Sequence, residues 1–370
     1  MSNVLKILMG LLLVFSILFY AFQAEGTQKV SRAKGTQKSH DNWEKMLRDY
    51  PIPKDSIELE LRFSFPKKDL EKKGIFLVNP RCMQRDSEGN IYVTDDRLHK
   101  VFKFDSSGNY LFQFGQRGQG PGDFITPHKF FITKEDILII GETGNMRFQF
   151  FDKNGKYIKS FKIFKGYNSW VVGNNGLIFA LPVIREESDH LIEVLNQDGV
   201  VISSFGEPFD FKYKNSIYNQ AEIEINHRGE LYVAFKFLPI VRKYSQNGEL
   251  LANFIINHPI MKEYGDYNRK NQSLLAKGKQ VKYKFVINSI KLSETGFYLM
   301  RHFPRIEILE FDNKGKRIAQ YWREVIPYLA EYFVVCNDIK EKIFYVLYFY
   351  PEVKIDVFGQ KDNLMKKGGD

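Results

Sequence analysis

Cysteine is almost missing from the chain. Only Cys82 and Cys336 occur among 370 residues, which excludes a disulfide-dense scaffold. Alanine is scarce, whereas Phe (33) and Tyr (20) are plentiful, a composition that disfavours a helical bundle and suits strands. There is no Gly-x-Ser-x-Gly elbow and no His-Glu-x-x-His helix, so catalysis has no positive motif. Acid is in deficit, with 44 Asp and Glu against 54 Lys and Arg, and the formal charge of +10 favours anionic partners.

A long apolar run appears at the N-terminus. Lys6 precedes Ile7 to Phe22, and Gln23-Ala24-Glu25-Gly26 follows. A charged start and an apolar stretch of this length give residues 1–26 two readings, a cleaved signal peptide or a membrane anchor through residues 4–22, and both stay open. Either way the protein is expected to be exported, periplasmic or extracellular, which makes nucleic acid a poor partner despite the charge. Residues 27–54 are polar, contain Gly-Thr-Gln-Lys twice and read as a linker, with a short helix around Asp41 to Arg48. Residues 361–370 form a charged tail.

The body of the chain repeats. Val101-Phe-Lys-Phe-Asp105-Ser-Ser-Gly108 leads into Asn109 to Gly115, and Arg147-Phe-Gln-Phe-Phe-Asp152-Lys-Asn-Gly155 leads into Lys156 to Phe161. In each, an alternating apolar run ends at Asp, turns at Gly and resumes, which is a hairpin signature. Equivalent glycines fall at 108, 155, 199, 248 and 315, spacings of 47, 44, 49 and 67. Units of this period stack into arrays or close into rings.

Asn145-Met-Arg147-Phe-Gln-Phe-Phe-Asp152 resembles the strand that names the NHL repeat, and Gly115 to Phe124 resembles the blade connector of that family. The resemblance implies an all-β, six-bladed β-propeller of four-stranded antiparallel blades over residues 55–360. Five full blades can be counted, beginning near Arg81, Lys129, Trp170, Glu222 and Ser289, and a three-stranded sixth begins near Tyr332. Ile57 to Phe65 alternates strictly and stands alone before blade one, so it is expected to supply the missing outer strand of blade six beside Val353 to Phe358.

With strands A to D in each blade, one face receives only tight turns and the other every long loop. Function gathers in such loops. The sequence therefore places the ligand on the long-loop face, with Arg117, Phe209, Phe211, Tyr213, Tyr218, Tyr264, Tyr267, Arg269 and Lys270 as candidate contacts. The last four lie in an insertion, His258 to Lys284, that holds half of the net charge. Aromatic faces beside cations suit an anionic glycan or an acidic protein segment. The glycine run after Gly115 reads as a blade connector, because Pro127 and a strand follow it rather than a helix N-terminus. His99, His190 and His302 read as solvated loop histidines, and Arg117, Arg147, Asp95, Asp96 and Glu142 as salt bridges between blades. Neither a metal nor another cofactor is expected, and the two thiols are expected to be buried and free. The rival reading, which the resemblance also admits, is a lyase or lactonase with a metal in the central tunnel; RNA binding is a third, and conflicts with export. The protein is taken as a monomer.

Overall fold

A computed structural model describes residues 48–183, 190–209, 217–275, 282–302, 305–324, 329–337, 342–350 and 352–361. The chain divides into Met1–Ile52 and Pro53–Asp370. The leader, the proposed helix at 41–48 up to residue 47, and the tail beyond 361 lie outside the described residues, as do Phe211 and Tyr213.

The second unit is a six-bladed propeller. Blade one consists of β2 (Pro80–Arg85), β3 (Ile91–Asp95), β4 (Lys100–Phe104) and β5 (Tyr110–Phe114). Blade two is β6 (Pro127–Ile132) to β9 (Tyr157–Lys162), blade three β10 (Tyr167–Val172) to β13 (Val201–Phe205), and blade four β14 (Ala221–Ile225) to β17 (Leu250–Ile255). Each is a separate four-stranded sheet in sequential order. Blade five is β18 (Ser289–Leu292) to β21 (Arg317–Arg323), and blade six is β22 (Leu329–Asn337), β23 (Lys342–Tyr350) and β24 (Lys354–Gln360) completed by β1 (Ile57–Phe65). The innermost strands β2, β6, β10, β14, β18 and β22 touch in succession, and β22 touches β2, so the ring closes.

Closure uses the orphan strand as expected. β1 pairs antiparallel with β24 from Leu59 opposite Gln360 to Phe65 opposite Ile355. Its start also meets β21 in parallel, Ile57 opposite Tyr321, which joins blades five and six into one eight-stranded sheet. Tyr345 of blade six donates its hydroxyl proton to Ser106 O of blade one across the seam, 3.0 Å. The corresponding strand of blade one sends Tyr92 to Lys153 O of blade two, 2.8 Å.

Each outer hairpin turns at a glycine with positive φ, from +78° at Gly108 and Gly155 to +91° at Gly248. Those glycines also fit blade against blade. A Cβ on Gly108 would lie within 3.0 Å of Phe65, one on Gly155 within 3.0 Å of Phe114, and Gly199, Gly248 and Gly315 meet Phe161, Phe205 and Phe254 in the same way. Every one of those phenylalanines is on the outer strand of the preceding blade.

The insertion after Ile256 is not the open loop expected over its first part. Pro259–Leu275 is a helix, α2, the short α1 being Lys68–Glu71. Pro at the first helical position is pre-set for a helix start. Ile260, Met261, Tyr264, Asn268 and Gln272 are buried on one face, while Lys262, Glu263, Asp266, Arg269 and Lys270 turn outward. Gly265 lets the helix seat on Pro239, whose Cδ would be 2.7 Å from an added Cβ.

Candidate functional site

Chain direction places the strand A–B and C–D turns on one face of the ring and the B–C and D–A connections on the other. The second face carries α1, the connector Gln116 to Thr126, the described residues 206–209 and 217–220, and α2. It surrounds the mouth of the central tunnel.

The tunnel is occupied by its own charges. Lys129 Nζ reaches from β6 to Ser169 Oγ of β10 at 2.7 Å, to Ile223 O at 3.4 Å, and to Glu222 Oε1 of β14 at 3.6 Å. Lys291 of β18 pairs with Glu224 Oε1 at 2.6 Å. Burial pushes the Glu222 carboxyl up, but Lys129, Lys291 and Lys236 together outweigh it and hold the group below its usual range. Burial disfavours the Lys291 ammonium, yet Glu224 and Glu222 more than offset this and raise it. Buried charges paired in this way are satisfied as a set and leave little for a ligand. Cys82 lies among them, its thiol pushed up by burial, and Cys336 is half-buried on β22; both are free. A thiol held protonated is a poor nucleophile.

Three histidines depart from the solvated-loop expectation or add to it. His302 is half-buried, with its Nδ1 buried and without a hydrogen-bond partner among the described residues, and burial lowers its pKa to about 4. His258, at the start of α2, is lowered to about 4 by burial, with Arg301 and Arg305 opposing Glu307, whose Oε2 is 3.4 Å from His258 Nε2. His128 at the tunnel mouth is held well below its ordinary value by burial and then by Arg81, Lys236 and Lys129; its Nε2 is 3.1 Å from Arg81. His190 and His227 are exposed. Among the described residues no three His, Cys, Asp or Glu side chains converge as metal ligands.

The ion pairs of Arg147 with Glu142 and of Asp96 with Arg81 lie within single blades. Arg147 bonds Glu142 across two strands of blade two and clamps the connector through Gln119 O, Gly120 O and Asp123 O, each at 2.9 Å. Asp96 pairs with Arg81 of its own blade at 3.5 Å. Asp95 accepts from the backbone N–H groups of Val78, Asn79, Arg97 and Leu98. Arg117 remains exposed, its backbone bridged to Phe124.

The candidate aromatic residues divide into two groups. Phe209 packs on Phe235 with centroids 4.8 Å apart, beneath the Arg242 guanidinium at 4.1 Å. Tyr218 is fully buried and donates to Asn268 O of α2. Tyr264 is 4% exposed and lies 4.3 Å from Lys284 Nζ. Tyr218 and Tyr264 hold the insertion to the ring and Phe209 packs on blade four, so the faces of all three are engaged within the protein. Tyr267 is 37% exposed, with Lys284 Nζ 4.7 Å over its ring, and Arg269 is exposed beside Asp266 at 3.2 Å. Lys270 is on the outer side of the same helix.

Two residues that sequence reasoning missed fix this corner. Asn268 Nδ2 donates to Phe237 O and Lys284 O at 2.9 and 2.8 Å, and its Oδ1 accepts from Lys284 N at 2.9 Å. Tyr283 stands edge-on to Tyr218 at 5.6 Å.

Residues 83–303 match the model of the family DUF5128, described as a 6-bladed beta-propeller. The chain belongs to this family. Within the shared fold, a Bacteroides fragilis protein described as exported superposes with a TM-score of 0.58 at 14% identity, covering 85% of this chain and 98% of that one. A DUF4221 member from Bacteroides vulgatus gives 0.54 at 11%, covering 84% and 99%. A streptogramin B lyase gives 0.53 at 12%, covering 82% and 98%. At these identities the likeness extends to the fold alone. The curated Protein brain tumor of Drosophila melanogaster is 23% identical over 133 residues, 35% of this chain, and the chain spans only 12% of that protein's length.

Proposed function

We propose that this propeller is an exported binding module that recognises an anionic partner on its long-loop face. The observation that carries the reading is the division of charge. The tunnel lysines Lys129 and Lys291 are buried against Glu222 and Glu224, whereas the cations Arg117 and Arg269, the latter beside Asp266, stand exposed on the long-loop face together with Tyr267. Export rests on the apolar N-terminal run and on the fold shared with a protein described as exported. The repeats read as NHL-like on Asn145 to Asp152.

Rim cations act mainly on the association rate, and partly buried aromatic residues on the dissociation rate. Binding of the full chain to fluorescent poly-L-glutamate, followed by stopped flow across a salt series, tests this. R117E/R269E should slow association and flatten the salt dependence, and Y267A should speed dissociation. Kinetics unchanged in all three residues would remove the long-loop face as the site. A stoichiometric metal in the purified protein would favour the lyase or lactonase reading instead.

A further inference from the structure

Large apolar side chains rarely stand fully in water without a reason when they recur on one face. Phe164 is 90% exposed in the turn between β9 and β10. Beside it, Val183 is 51% exposed and its N–H bonds Gly166 O at 3.0 Å, so two apolar side chains share one lip. Phe76, between β1 and β2, is 40% exposed, and the neighbours Leu77 and Ile75 turn into the core instead. Phe285, between α2 and β18, is 44% exposed, with one face stacked on Phe237 at 4.9 Å.

The three phenylalanines occupy equivalent places. All lie on connections from an outer strand to the next inner strand, those entering blades one, three and five. Alternate blades of a six-membered ring put them about a third of a turn apart around the tunnel mouth. Each is accompanied by lysine: Lys72 and Lys73 before Phe76, Lys162 and Lys165 around Phe164, Lys282 and Lys284 before Phe285. Lys165 and Lys284 are partnered by Glu193 and Glu263, while Lys72, Lys73, Lys162 and Lys282 are exposed and form no ion pair among the described residues.

A groove-bound segment would need its apolar contacts gathered in one place. Contacts spread around a rim fit a broad, flat partner, and phenylalanine next to lysine is the pairing that seats a protein at the boundary between acyl chains and anionic headgroups. We propose that the partner of the long-loop face is an anionic lipid bilayer, onto which the ring settles through Phe76, Phe164 and Phe285. The proposal rests on the reading that this face takes an anionic partner, and names its class.

The full chain contains its own apolar N-terminal run, so the test must report from the rim itself. F76W, F164W and F285W, made singly in the full chain, are mixed with phosphatidylglycerol/phosphatidylcholine vesicles carrying brominated acyl chains, with N154W in a tight turn of the opposite face as the control. Bromine quenches tryptophan only within the acyl region. All three rim positions should be quenched, more strongly than N154W, and quenching should fall with salt and on removal of phosphatidylglycerol. F164S, at a side chain 90% exposed, should lower the vesicle partition coefficient at unchanged melting temperature, and F76S/F164S/F285S should lower it about tenfold or more. Rim tryptophans quenched no more than N154W would overturn the proposal, as would quenching indifferent to headgroup charge. If poly-L-glutamate still bound in that case, an acidic protein or glycan would be the partner and the long-loop reading would stand; if it did not, both would fall.

Discussion

Replacing Gly155 by alanine tests how the blades hold one another. The residue sits at φ +78°, and an added Cβ would be 2.7 Å from both Cγ and Cδ1 of Phe114. Leaving the left-handed region to a residue with a Cβ costs about 1 kcal/mol. Phe114 has little room to yield, because its ring lies 5.1 Å from Phe151 and 6.3 Å from Phe124. Overpacking of that kind adds about 1–3 kcal/mol, for a total of about 2–4. Gly74 is the internal control: its φ is +74° but nothing lies within 4 Å of the added atom, so G74A should lose only the conformational part. Urea midpoints with matched slopes, from fluorescence and circular dichroism transitions that coincide, give the comparison. Adding F114L should relieve the clash, so that G155A/F114L is less destabilised than the sum of the single changes by about 1 kcal/mol. Equal losses in G155A and G74A, or strict additivity with F114L, would show that the turn glycines serve backbone conformation only.

Acid should loosen the ring before its carboxylates titrate. His258 and His302 have folded pKa values depressed to about 4, so the unfolded chain binds protons first and the stability they confer, complete above about pH 6.5, is lost as pH falls toward 4. The shift sets an upper bound of about 3 kcal/mol for each. His128, lowered in the same direction, adds to the loss. Urea midpoints from pH 7.5 to 4.5 should fall in the wild type and fall less in H258Q/H302Q, and parallel curves would refute the assignment. At the insertion, N268A strands Phe237 O, Lys284 O and Lys284 N inside the protein, a loss of about 1–3 kcal/mol. Hydrogen exchange should then accelerate across Pro259–Leu275 and remain unchanged in blades one and two; unaltered protection of the helix would mean that Tyr218 and Tyr264 suffice to hold it.

The architecture could be read from the sequence because a repeat states the same physics several times. Asp105, Asp152, Asn196 and Asp312 each accept backbone N–H groups two and four residues on, and each is followed by a glycine three positions later. Turn and spacing are local, so one copy predicts the next. Ile57 to Phe65 was legible for the complementary reason, since an alternating strand without a hairpin partner must find an edge elsewhere. What the spacing concealed was the tertiary use of the same glycines. That Gly155 faces Phe114 depends on how two blades lie together, and nothing in either hairpin alone encodes it.

The site was less legible because its residues face two environments whose difference is not local. Charge dominated the reading of 258–284 and made it a loop, although Pro259, Ile260, Met261 and Tyr264 already carry a helical start and an apolar face. Once that face is turned inward, Tyr264 and Tyr218 become packing, and the recognising groups shrink to those left outside, Tyr267, Arg269 and Arg117. The histidines reversed in the same way: position in a B–C connection suggests water for His302, yet its Nδ1 is buried and its backbone N–H is held by Asn288 Oδ1 at 3.3 Å. A residue's place along the chain fixes the face of the propeller on which it lies; whether it meets solvent there is decided by neighbours that arrive from other blades. Exposed phenylalanines are informative for that reason, because Phe76, Phe164 and Phe285 each keep 40% or more of their surface in water in the folded ring.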